Sequence, residues 1–149
     1  MGVETSSAHA PLLVRVGWDR FKQLVAGPIH FIDDPKANDL LNDLGAYPHA
    51  YVLACCMDRQ TKSERAWMIP GRVQAILGDF SMRTLTQPSL QDYVAMFSMN
   101  SLHRFNDTMA GVFYNAVQHI QSEYNGDASQ IWANRPSSAS VVYRFLQFD

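Results

Sequence analysis

The chain has 149 residues, enough for one domain that hides roughly two thirds of its unfolded surface from water. Hydrophobic residues make up 47% and aromatic ones 11%, a globular composition that excludes a disordered or low-complexity protein. The net charge of −2 removes any global electrostatic case for a nucleic-acid partner.

Residues 1–10 are small and polar and read as a loose tail, with one helical domain expected over 11–149. They show no basic segment followed by an apolar core, and no later stretch reaches transmembrane length, so no membrane association is expected. Trp18, Phe21, Leu24 and Val25 recur at helical spacing, with Gly27-Pro28 as the stop. Asp34-Pro35 is a cap followed by a first-turn proline. Ala37, Leu40, Leu41 and Leu44 then form one apolar face, which Gly45 is expected to close. Pro48 opens the next segment, whose run from Tyr51 to Met57 is apolar on every side. Periodicity alone is compatible with a buried strand there; the helical neighbours favour a central helix.

Thr61-x-x-Glu64 has the form of a capping box, and Pro70-Gly71 is expected to interrupt or kink the helix it begins, which runs on to Gly78. Ser89 is placed to cap a helix carrying Leu90, Tyr93, Val94 and Phe97. A long stripe of Phe105, Met109, Val112, Phe113, Ala116, Val117, Ile120 and Tyr124 ends at Asn125-Gly126. Val141, Val142, Phe145 and Leu146 mark a shorter helix after Pro136 and its serines. No segment alternates strictly between apolar and polar, so the fold class is all-α.

Catalytic signatures are missing: there is no phosphate-cradling glycine loop, no Gly-x-Ser-x-Gly elbow and no His-Glu-x-x-His. The five histidines are scattered, and His49 and His119 read as surface or boundary residues. Asp39 and Asp43 read as a solvated helix face. Cys55 and Cys56 are neighbours with no second pair. They suit a reducing, cytoplasmic compartment and cannot supply a four-thiolate metal site.

The placement of charge says more than its total. Residues 58–83 carry Arg59, Lys62, Arg65, Arg72 and Arg83 against Asp58, Glu64 and Asp79, a net +2, whereas the flanking parts are each −2. This basic segment starts where the apolar run ends, on an elbow without glycine or proline that leads into a helix N-terminus. Free N–H groups and a partial positive charge suit that end to phosphate. The plain alternative is a solvated amphipathic helix with routine surface pairs, and charge alone favours it.

The segment "LACCMDRQTKSERAW" resembles the corresponding elbow of the helix–hairpin–helix (HhH-GPD) DNA glycosylase superfamily, the endonuclease III-like proteins. It is most similar to their iron–sulfur-cluster-loop subgroup. The resemblance continues through "HRFNDTMAGVFYNAVQHIQSEYNGDASQIW" and spans about residues 35–148. It implies an orthogonal multi-helix bundle and a DNA-repair role in base excision, in which a damaged or mismatched base is extruded from the duplex. By resemblance, Gln60 is the side chain that fills the gap left in the stack, with Asp58 and Arg59 at the same DNA-facing rim. Lys62 and Arg65, from the basic segment, complete the expected DNA-binding set. In the family, the hairpin, the catalytic aspartate, the lysine nucleophile and the cluster cysteines follow a segment like "VVYRFLQF". This sequence stops at Asp149, so no catalytic residue, metal ligand or iron–sulfur cofactor is carried over. The chain is also expected to self-associate or to need a partner subunit that covers its terminal apolar stripes. The reading from another class is a non-enzymatic helical protein-interaction module.

Overall fold

The computed structural model describes residues 15–17, 19 and 27–148, and backbone contacts divide the chain into two units, Met1–His30 and Phe31–Asp149. In the first unit Arg15, Val16, Gly17 and Asp19 are helical. The expected 1–10 tail and the stripe from Trp18 to Val25 lie outside the described residues. The second unit is all-α, with no strand among its described residues.

Helix α1 (Pro35–Asn42) starts as its sequence dictates. Asp34 Oδ1 accepts the Ala37 N–H at 2.9 Å, and Pro35 occupies a first-turn position where no N–H is needed. Asn38 anchors the lead-in, its Oδ1 accepting from the Phe31 N–H at 2.9 Å and its Nδ2 donating to the Ile32 carbonyl. The helix stops at Asn42, before Gly45. The residue that turns the chain is Asp43, at φ −82° and ψ 70°, so no glycine is required.

Helix α2 (Pro48–Met57) is the buried centre. All of its residues except Tyr51 and Cys55 are buried, which settles the strand-or-helix ambiguity of an all-apolar run in favour of helix. It packs against α1, against the helices Ser63–Leu77 and Asn106–Glu123, and against a short 3-10 turn. Helix α3 (Ser63–Leu77) continues through Pro70, so of the expected interruption or kink the interruption does not occur, and it closes on Gly78 at φ +79°. Pro70 is buried, and the glycine after it has a different use: a Cβ at Gly71 would stand 3.0 Å from Ala37 Cβ. The Pro-Gly pair therefore marks the close approach of α1 to α3, and the chain continues past it.

Short α4 (Met82–Leu85) precedes α5 (Leu90–Asn100), which opens with a reciprocal capping box between Ser89 and Asp92. Helix α6 (Asn106–Glu123) buries Met109, Ala110, Phe113, Ala116, Val117 and Ile120 along the expected stripe. It ends with Asn125 in the left-handed region, and the Tyr124 and Gly126 N–H groups both return to the Ile120 carbonyl, at 3.1 and 3.0 Å. A 3-10 turn (Ala128–Ile131) and α7 (Ser138–Phe145) complete the unit. Of the apolar residues of α7 and its C-cap, Val141 and Phe145 pack partly on the core, while Val142 and Leu146 face water.

Candidate nucleic-acid interface

The elbow from Asp58 to Lys62 leaves α2 without glycine because Asp58 makes an inverse γ-turn. Its φ of −80° and ψ of 64° let the Arg59 N–H donate to the Met57 carbonyl at 2.8 Å. The chain then passes through Gln60 in the left-handed region, at φ +51°, a conformation that costs an unbranched L-residue about 1–2 kcal/mol. Gln60 is exposed. Strained non-glycine residues cluster at functional sites, and Ser101, Asn125, Asn134 and Arg135 share this left-handed region.

That detour displaces the expected capping box. Lys62, and not Thr61, is the N-cap of α3, and no side chain caps its N–H groups. Lys62 itself is exposed at the start of the helix.

The arginines of the expected set have internal duties that the sequence does not disclose. Arg59 Nη2 donates to the Phe148 carbonyl at 3.1 Å. Arg65 donates from Nη2 to the Ser101 carbonyl at 2.7 Å and from Nε to the Leu102 carbonyl at 3.4 Å. Arg72 Nη2 reaches the Asn100 carbonyl at 3.2 Å. Two turns of α3 thus place cations on the carbonyl end of α5, where orphan acceptors and the negative end of the dipole favour them. Arg65 spends two of its five donors there. The basic segment is partly a helix-capping device, and Lys62, Gln60 and Asp58 are its outward members.

His103 closes the same junction from the other side, and sequence reasoning assigned it nothing. The ring is buried and spans the turn before α6 and the end of α2. The Phe105 N–H donates to Nδ1 at 3.0 Å, so the ring proton sits on Nε2, which donates to the Met57 carbonyl at 3.1 Å. The His103 N–H donates to Asn106 Oδ1 at 2.9 Å. Burial lowers the ring's proton affinity, opposed by the carbonyls of Met57 and Arg59 and reinforced by the Arg65 cation.

His49 is also buried, correcting the surface assignment. Its Nε2 donates to the Phe80 carbonyl at 2.6 Å and its ring stacks on Phe80, with centroids 5.4 Å apart. His119 is half-buried, edge-on to Phe148 at 4.7 Å. Neither cysteine is in a disulfide, and burial pushes the Cys55 thiol up from its ordinary range. Among the described residues, no three of His, Cys, Asp and Glu converge in a way that could hold a metal ion, and no helix is long and apolar enough to cross a membrane. Compared with family models, with curated proteins and with solved structures, the chain matches none.

Proposed function

We propose that the chain is a DNA-binding helical module of the helix–hairpin–helix glycosylase type, acting in base-excision repair. It engages duplex DNA through the 58–62 elbow, and Gln60 enters the base stack opposite a displaced base. The observation that carries this reading is Gln60 itself: exposed, left-handed, and mounted on a turn braced by bonds from both sides. A wedge pushed into a base stack has to be held by rigid neighbours, and an elbow rising from a fully packed helix supplies them. Lys62, at the uncapped start of α3, supplies the phosphate contact. The proposal covers binding and base displacement and assigns no catalytic residue.

Competition binding with an intact duplex and one carrying a single-nucleotide gap tests it. Wild type is expected to prefer the gapped duplex, and Gln60→Ala to lose that preference while keeping its general affinity. Lys62→Ala should weaken both complexes alike and flatten the log–log salt slope by about 0.9. Equal affinity of wild type and Gln60→Ala for both duplexes would sink the wedge assignment.

The interaction-module reading has one observation in its favour. On α7 and its C-cap, Val142 is 57% exposed and Tyr143 and Leu146 are each 65% exposed, a run of apolar surface at one short helix. Light scattering across a dilution series tests it: a mass that rises with concentration supports self-association, and one constant chain mass removes it.

A further inference from the structure

The structure assigns to His103 the part of positioning residue for the elbow: its neutral ring holds Gln60 in its presented conformation, and protonation of the ring releases it. This rests on the reading of Gln60 as the DNA wedge, but the holding itself is a property of the free protein.

The geometry carries it in three steps. The Met57 carbonyl is the last acceptor of α2 and the pivot of the inverse γ-turn, and it receives both the Arg59 N–H at 2.8 Å and His103 Nε2 at 3.1 Å. Moving that carbonyl therefore moves the turn that sets the direction of Gln60. The ring is fixed at its other nitrogen by the Phe105 N–H, and its backbone by Asn106, so it cannot follow a loosened elbow. A second proton would place an N–H of the ring against the N–H of Phe105, donor facing donor. That breaks the tether which orients the ring. The charged groups on the surrounding elements are Asp58, Arg59 and Lys62 on the elbow, Arg65 on α3, and Arg104 and Asp107 on the ring's own turn and helix. Helices α2 and α5 bring no charged side chain at their near ends. Burial and then the Arg65 cation disfavour the protonated ring and outweigh the Met57 and Arg59 carbonyls that favour it, so the held elbow belongs to neutral pH.

The full chain can be read by amide hydrogen exchange at Arg59, with Gly78, whose N–H closes α3 on Gln74, as internal reference. Wild type should exchange at Arg59 about three- to tenfold faster relative to Gly78 when moved from about pH 7.5 to about pH 5, after correction for intrinsic rates. His103→Gln keeps a donor for Met57 without a titrating ring; it should stay protected and lose the pH response. His103→Ala should exchange fast at both values. If His103→Ala does not fold, wild type and His103→Gln decide alone. A wild-type ratio that ignores pH, or a His103→Gln ratio that follows pH as wild type does, overturns the assignment. Gap preference measured on the same samples separates the two claims. An elbow that responds as expected in a protein indifferent to the gap sustains His103 as the holder and ends the wedge reading.

Discussion

Two turns bracket α2, and they begin alike and end differently. At the lead-in, Asp43 makes an inverse γ-turn at φ −82° and ψ 70°, with the Leu44 N–H on the Asn42 carbonyl at 3.0 Å. At the exit, Asp58 does the same at φ −80° and ψ 64°. The first turn then closes on itself: Asp43 accepts the Ala46 N–H on Oδ1 at 2.9 Å and the Tyr47 N–H on its carbonyl at 2.8 Å. The second is closed from far away, by His103 and by Arg59 reaching Phe148. A turn that satisfies its own groups needs nothing further. A turn braced from outside leaves its tip side chains exposed, and that is where Gln60 and Lys62 sit.

The largest effect is expected from erasing the comparison altogether. Leu53 is fully buried in α2, the helix between the two turns, and Leu53→Ala should cost about 2–5 kcal/mol in denaturant unfolding. Acid is the next, because a buried histidine stands near each turn: His49 at the start of α2 and His103 against its end. Burial lowers the proton affinity of both from the ordinary 6.5. The unfolded chain therefore binds more protons, and stability is complete above pH 6.5 and lost as pH falls through the folded values. A thermal melting temperature that stays flat or rises from neutral to mildly acid pH would contradict this.

A smaller effect separates the turns. Arg65→Ala strips the carbonyl end of α5 of two charge-assisted bonds and should cost about 1 kcal/mol, with faster exchange in the elbow and none near Asp43. The smallest is a gain. Gln60→Gly removes the left-handed strain and adds unfolded-state entropy, for a net stabilisation of about 0.5 kcal/mol. It should stabilise while abolishing any gap preference, the pattern of a residue kept for presentation rather than for folding.

The helices were legible in the sequence wherever local chemistry decides them. Asp34-Pro35, Ser89 and the Asn125-Gly126 exit are caps whose partners lie within a few residues, and the stripe of α6 is long enough to be unambiguous. The capping box at Thr61 does not form: Gln60 turns left-handed and Lys62 takes the N-cap position. Pro70-Gly71 reads as a break because the sequence does not show Ala37 lying 3.0 Å from where a Cβ would be. The candidate site was half legible. Its proposed location rests on local charge and resemblance, and the arginines look like phosphate ligands until the carbonyls of Asn100, Ser101 and Leu102 are placed beside them. Long-range acceptors leave no mark on the donor's own segment. His103 could be suspected only from the Asn three residues on, which caps its N–H.

The central claim, that the elbow presents Gln60 to the interior of a duplex, is tested most directly by watching a base leave the stack. A duplex carrying a fluorescent adenine analogue, quenched while stacked, reports displacement as a rise in emission. Saturating wild-type protein should raise the emission. Gln60→Ala at equal occupancy should leave it near the free-duplex level, and Lys62→Ala, once saturated, should match wild type. Saturated complexes of wild type and Gln60→Ala with the same emission would contradict the account.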